Sequence, residues 1–143
     1  SIAMGHPRLT MKEFCAIVEQ VIADLPEPFH GYLENVAVDV EPRASERTLR
    51  GVGIDPDEWD QLMGLFQGKA LTEQEFGEHH PNRIALYKDS IEAACRSRDE
   101  IAYEIRRTVI HELAHHFGFS EDDLEEFEST PSPYDGDRPD DEP

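Results

Sequence analysis

Cysteine is scarce: Cys15 and Cys95 are the two cysteines among 143 residues. They lie far apart in the sequence and form no Cys-x-x-Cys pair. This excludes a disulfide framework and a thiolate metal site. We therefore expect both to be reduced thiols in the core.

Long apolar runs are also missing. No window approaches the roughly eighteen consecutive apolar residues of a membrane helix. The N-terminus lacks the order of basic, apolar and small residues that marks a secretory signal. These two absences predict a soluble, cytoplasmic protein with no membrane partner.

Basic residues are few. Thirteen Lys and Arg stand against 32 Asp and Glu, so the formal net charge is −19. A surface of this sign repels phosphate backbones and anionic lipids. We therefore expect no nucleic-acid partner.

The apolar fraction, 38% of 143 residues, is enough for one domain with a modest core. Residues 1–10 show no periodicity and predict a flexible N-terminus, of the kind that an expression vector leaves behind. The domain is expected over residues 11–128. Residues 129–143 are rich in Pro and Asp and predict a solvated acidic tail.

Hydrophobic periodicity predicts an amphipathic N-terminal helix that follows Thr10 as its N-cap and ends before Pro26. Three short apolar runs predict strands over residues 35–40, 62–66 and 83–87. The polar stretch 41–60 between them predicts a loop, with at most a turn of helix at Asp57.

Further helices are expected in the second half of the chain. A short one surrounds Ile91, and a long one covers residues 99–117 and ends at Gly118, a residue suited to a helix C-cap. Its apolar side is expected to contain Ile101, Ile105, Val109, Leu113 and Phe117. A last short helix over residues 121–128 follows Ser120. Helices at both ends of a few short strands predict an α+β fold.

The long helix contains the sequence His-Glu-Leu-Ala-His at residues 111–115. Residues four apart leave an α-helix about 40° apart around its axis, so His111 and His115 share one face and can chelate one cation. Glu112 lies about 100° around the helix, where its carboxylate can reach a water molecule bound to the same metal. This pattern predicts a zinc site in which Glu112 is the general base.

The motif continues through Gly118 to Glu121 and fits the metzincin-type pattern His-Glu-x-x-His-x-x-Gly-x-x-(His or Asp), with Glu in the last place. Gly118 can take a positive φ, end the helix and turn the chain back towards the histidines. Glu121 is therefore the predicted third ligand, and Asp122 is its nearest competitor. A glutamate about twenty residues further on, as in thermolysin-like enzymes, would fall in the Pro-rich tail.

These motifs resemble those of the small bacterial zincin-like metallopeptidases. The shared segments are Asn-Val-Ala-Val at 35–38, Leu-Met-Gly-Leu-Phe-Gln-Gly at 62–68, and the run from His111 to Asp123. The resemblance covers roughly residues 11–128. It implies a minimal zincin fold, with a small mixed sheet packed on the motif helix, and a Zn²⁺-dependent peptidase site.

The function expected from these features is hydrolysis of peptide bonds, with His111, His115 and Glu121 as zinc ligands and Glu112 as base and then acid. The substrate, a peptide or protein, is expected to extend along an exposed strand, with residues 83–87 as the candidate edge. The alternative is a catalytically inactive zinc-binding protein whose acidic tail binds a basic partner. No methionine follows Met63, so the Met-turn of larger metzincins is missing.

Several other polar residues have open roles. Tyr87, His79 and His80 are candidate donors to an oxyanion. Glu104 and Thr108 share the histidine face, where each could bond a ligand imidazole or simply be exposed. His116 is expected to pack against the helix surroundings or support a ligand, and not to bind the metal itself.

Overall fold

Six α-helices and three strands form the part of the chain that this computed structural model describes, residues 5–68, 82–127 and 133. The helices are α1 (Met11–Ala23), α2 (Phe29–Tyr32), α3 (Glu46–Gly51), α4 (Lys88–Ala93), α5 (Arg98–Phe117) and α6 (Glu121–Phe127). The strands are β1 (Val36–Glu41), β2 (Gly64–Gln67) and β3 (Asn82–Tyr87). Short 3-10 helices cover Leu33–Asn35 and Pro56–Gln61.

The strands form a mixed sheet in the order β1-β3-β2, in which β3 pairs with β1 in parallel and with β2 antiparallel. The fold is therefore α+β with a small mixed sheet, as the sequence predicts. The expectation that residues 83–87 form an exposed edge is wrong. Both sides of β3 are hydrogen-bonded to other strands, and β2 is the edge strand beside α5 in the described part of the chain.

Side chains of β3 alternate between two apolar clusters. Ile84 and Leu86 join the main core between the sheet and the long helices. Ala85 and Tyr87 face the other way, into a smaller cluster with Leu49. The main core contains buried residues of α1 and α5, namely Phe14, Val18, Ile101, Ile105, Val109, Ile110 and Leu113. The motif helix is thus packed on one face of the sheet.

The segment that precedes α1 lies against α4. Leu9 is buried, and its backbone N–H donates to Glu92 Oε2 at 3.0 Å. Lys88 Nζ is 3.0 Å from the same carboxylate oxygen, so Glu92 is a paired, buried acid. Thr10 caps α1 as predicted, in a reciprocal capping box with Glu13. These contacts attach Leu9 and Thr10 to the rest of the fold, although the sequence predicts a domain that begins at residue 11. Residues 1–4 lie outside the described ranges.

The stretch from residue 41 to 60 contains more helix than the sequence predicts. Ser45 caps α3 by accepting a hydrogen bond from the Thr48 N–H, and the 3-10 helix around Asp57 matches the expected turn. Leu49 is the buried residue of α3. A helix of six residues that buries one side chain shows no apolar periodicity, which is why it was missed.

Helix α5 begins and ends as its sequence indicates. Ser97 is its N-cap, and Gly118 closes it in the left-handed region with φ of 76°. Phe117, however, is 40% exposed and does not lie on the buried side. Residues spaced every four positions rotate by about 40° at each step, so Phe117 lies roughly 160° around the helix from Ile101.

Neither cysteine forms a disulfide. Cys95 is buried in the core as expected, whereas Cys15 is only half-buried. In residues 5–68 and 82–127 there is no helix with the length and apolarity to cross a membrane. The predicted acidic tail, residues 129–143, lies outside the described residues apart from Pro133.

Candidate functional site

The three motif residues lie in the last two turns of α5. His111 and Glu112 are half-buried, and His115 is exposed. Leu113 and Ala114, between them in the sequence, are buried in the main core. The core thus fixes the rotation of the helix, and the two imidazoles leave its other side one turn apart.

The carboxylate of Glu112 contacts the backbone of β2. The N–H of Phe66 donates to Glu112 Oε1 at 2.7 Å. In the same segment the carbonyl of Met63 accepts a hydrogen bond from the Tyr87 N–H at 2.8 Å. The backbone groups of the odd-numbered residues of β2 therefore bond to β3, and those of the even-numbered residues point away from it. The N–H of Phe66 therefore lies on the outer edge of the sheet, and Glu112 is held at that edge.

Gly64 allows β2 to approach α5 closely. A Cβ at this position would lie 2.5 Å from Thr108 Cγ2 and 3.1 Å from the carbonyl oxygen of Ala85. Any side chain would push the strand and the helix apart. The glycine is therefore a condition for the hydrogen bond between Glu112 and Phe66, two residues further along.

A cleft of about 280 Å³ lies between α5 and the segment that leads into β2. Glu104, Thr108, His111 and Glu112 line its helical side. Glu104 is only 7% exposed, with Arg107 Nη1 3.7 Å from its Oε1, and Thr108 is half-buried. Simple solvent exposure, one of the two expectations, is therefore wrong for Glu104, whereas Thr108 is still partly exposed.

Aromatic rings surround the C-terminal end of α5. The imidazole of His116 stacks on Phe66, with ring centroids 3.9 Å apart and planes at 18°. Phe117 stacks on Tyr32 at 4.1 Å. The expected packing role of His116 is confirmed, since its ring joins the motif helix to the strand that Glu112 contacts.

Beyond Gly118 the chain turns and enters α6. Ser120 and Asp123 cap this helix reciprocally: the Asp123 N–H donates to Ser120 Oγ, and the Ser120 N–H donates to Asp123 Oδ2. These hydrogen bonds lower the pKa of Asp123. Leu124 is buried and anchors α6, while Glu121 and Asp122 are exposed in its first turn.

The donor set fits part of a zinc site. Two imidazoles one helical turn apart match two positions of a tetrahedral Zn²⁺ centre. Across residues 5–68 and 82–127, no three His, Cys, Asp or Glu side chains are grouped so that they could hold a metal ion. Glu121 as the third ligand, with Asp122 as its competitor, stays a prediction.

The structure does not support Tyr87 as a donor to an oxyanion. Tyr87 is 1% exposed in the smaller cluster, on the face of the sheet away from α5. Burial raises its pKa, and the Glu41 carboxylate adds to this effect. His79 and His80 lie outside the described residues.

The contact that sequence reasoning missed is a backbone group, the N–H of Phe66. Every residue except proline has a main-chain N–H, so the amino-acid sequence does not indicate which of them makes such a contact. The available signal was Gly64, because a glycine inside a short strand often marks a close approach of another element.

Comparisons with known proteins agree with this arrangement. A family model described as zincin-like metallopeptidase matches residues 33–130, which include all three strands and the motif helix. A solved structure of a conserved hypothetical protein from Thermus thermophilus is similar at 25% identity and a TM-score of 0.50, over 76% of this chain and 94% of that one. No curated protein matches at a significant level. The family match spans well over half of the chain, which therefore belongs to the zincin-like metallopeptidases.

Proposed function

We propose that this protein is a zinc-dependent peptidase that hydrolyses peptide bonds, with His111, His115 and Glu121 as zinc ligands and Glu112 as the proton-transfer residue. The observation that carries the proposal is the 2.7 Å hydrogen bond between the Phe66 N–H and Glu112 Oε1. It holds the motif carboxylate at a sheet edge, which is where an extended peptide can bind.

Strand β2 is the edge to which the substrate adds. Gly64 and Phe66 direct their backbone groups away from β3. The Phe66 N–H is bonded to Glu112, so an extended peptide would bind this side through the backbone carbonyl groups. A peptide aligned there lies beside α5 and its histidine pair. The proposal thus replaces β3, the edge expected from the sequence, with β2.

The two carboxylate oxygens of Glu112 have different roles. Oε1 accepts the Phe66 N–H, which fixes the orientation of the carboxylate, and Oε2 is left to accept a proton from the attacking water. The same oxygen then delivers the proton to the nitrogen of the leaving amine. When bound, zinc supplies Lewis-acid chemistry, since it acidifies water and polarises a carbonyl.

Glu121 is proposed as the third ligand because of the turn at Gly118. The positive φ of this glycine ends α5 three residues after His115, and buried Leu124 holds the start of α6 against the core. The exposed carboxylate of Glu121 follows this turn directly. Asp122 is the alternative, one residue further on.

The test is turnover of a mixed library of quenched fluorescent peptides by protein loaded with zinc. Cleavage that stops with a chelator and returns with added zinc supports the proposal. His115→Ala should lose stoichiometric zinc and turnover, whereas His116→Ala, the matched control at the neighbouring histidine, should retain zinc. Loss of zinc in both variants to the same degree would contradict the assigned ligand pair.

A zinc-loaded protein that cleaves no library peptide would overturn the peptidase proposal. That result would favour the alternative, a catalytically inactive zinc-binding protein that binds a basic partner through its acidic C-terminal region. From Glu121 onwards the chain has eleven acidic residues and one basic residue.

A further inference from the structure

We infer that four contiguous rings beside the site, Tyr32, Phe66, His116 and Phe117, bind an aromatic or large aliphatic side chain of a cationic peptide substrate. We name these four residues the aromatic surface. This inference rests on the peptidase function proposed above and adds the class of substrate to it.

The rings form a continuous row. Phe66 stacks on His116 with centroids 3.9 Å apart, His116 meets Phe117 edge-on at 4.9 Å, and Phe117 stacks on Tyr32 at 4.1 Å. Side chains from β2, α5 and α2 therefore build one surface. Because each ring is held by the next, the row is ordered before any ligand arrives.

The row begins at the reacting carboxylate. Phe66 is the residue whose N–H holds Glu112, and His116 follows the proposed zinc ligand His115 in the sequence. A peptide that lies along the outer side of β2 next to Phe66 therefore passes beside these rings. The surface is continuous with the proposed site and does not form a separate one.

The rings are open to solvent. His116 is exposed, Phe117 is 40% exposed, and Tyr32 and Phe66 are half-buried. Phe119 and the fully buried Phe29 pack behind Tyr32, so the row is supported by the core without being covered by it. Removing such apolar area from water on binding is favourable.

Charge determines which peptides approach this surface. The formal net charge of the protein is −19, so acidic peptides are repelled and basic ones are attracted over long range. The preferred substrate is therefore cationic with an aromatic or aliphatic residue near the cleaved bond.

The experiment uses the full chain with Glu112→Gln, which we expect to bind peptides without cleaving them. Two pools of lysine-containing decapeptides, equal in length and charge, differ in that one contains phenylalanine where the other contains alanine. Fluorescence anisotropy should show about fivefold to tenfold tighter binding of the phenylalanine pool, the range expected for one added aromatic contact.

The variant that tests the surface is Phe117→Ser in the same background. We expect the preference for phenylalanine to fall below about threefold, while Phe117→Leu, which keeps an apolar side chain, retains more of it. Val52→Ser is the matched control, because Val52 is 43% exposed and lies away from the site after α3. It should leave the preference unchanged.

Equal binding of the two pools, no binding of either pool, or the same preference in Phe117→Ser, would overturn the inference. Its failure is separable from failure of the proposed function. If the wild-type protein cleaves peptides without this preference, the peptidase proposal stands and the inferred substrate class is wrong. If the protein prefers the phenylalanine pool in binding but the wild type cleaves nothing, the aromatic surface stands and the peptidase proposal is wrong.

Discussion

The two ends of α5 differ in what surrounds them. Its first twelve residues, the buried part, contain Ile101, Ile105 and Val109, all fully buried against α1 and the sheet. Its last turn contains His115, His116 and Phe117, all exposed. A single helix thus combines a core element with a functional surface, and the buried half determines where the exposed half points.

The exposed end is nevertheless ordered by specific contacts. The stacking of His116 on Phe66 joins this turn to β2, and the hydrogen bond from Phe66 to Glu112 does the same one turn earlier. The buried half is stabilised by area removed from water, whereas the exposed end depends on a few directed contacts. Changes at the exposed end should therefore affect chemistry more than stability, and changes in the buried half should do the reverse.

The sharpest test of this contrast is Glu112→Gln. The amide keeps the shape of the side chain but cannot accept and return a proton, so peptidase turnover should fall by about 10²- to 10⁴-fold. Zinc stoichiometry, measured by metal analysis, should be unchanged. Retained turnover or lost zinc would show that Glu112 has a different role.

The next largest effect is expected at Glu121. If it is a zinc ligand, Glu121→Ala should weaken zinc binding by more than about 100-fold, beyond the usual effect of residues that only orient a ligand. Competition with a chelating dye measures this affinity. Asp122→Ala is the matched control, and Glu121→Asp should retain part of the binding. Equal affinity in wild type and Glu121→Ala would remove Glu121 from the site.

The stability side of the contrast is tested by Ile105→Ala against His116→Ala. Ile105 is fully buried, so its truncation should lower the free energy of unfolding by about 2–5 kcal/mol. His116→Ala removes one stacked ring pair and should lower it by less than about 1.5 kcal/mol. Urea denaturation followed by circular dichroism measures both, and equal losses would disprove the division of α5.

A smaller loss than that of Ile105→Ala is expected at the junction of α5 and β2. Gly64→Ala places a methyl group against Thr108 and should lower the free energy of unfolding by about 1–3 kcal/mol. Gly51→Ala is the control, since a Cβ there meets nothing within 4 Å and alanine suits a helix better than glycine. A tolerated Gly64→Ala would mean that β2 and α5 do not need their close approach.

Much of the fold was predictable because its signals are local. The Thr10 cap, the long helix and its end at Gly118 depend on residues within a few positions of one another. The six-residue α3 was missed because Leu49 is its buried residue and shows no periodicity. The expectation of an exposed edge at residues 83–87 was wrong because a short apolar run indicates a strand but not which strands pair with it.

The site divides in the same way. Helical geometry alone places His111 and His115 on one face, with Glu112 a third of a turn away, because 3.6 residues per turn is a property of the backbone. The tertiary structure decided that Glu112 meets the Phe66 N–H, that β2 is the edge strand beside α5 in the described part of the chain, and that His116 stacks on Phe66. These contacts join residues about fifty positions apart, and such pairings arise from the packing of α5 on the sheet, which no local pattern encodes.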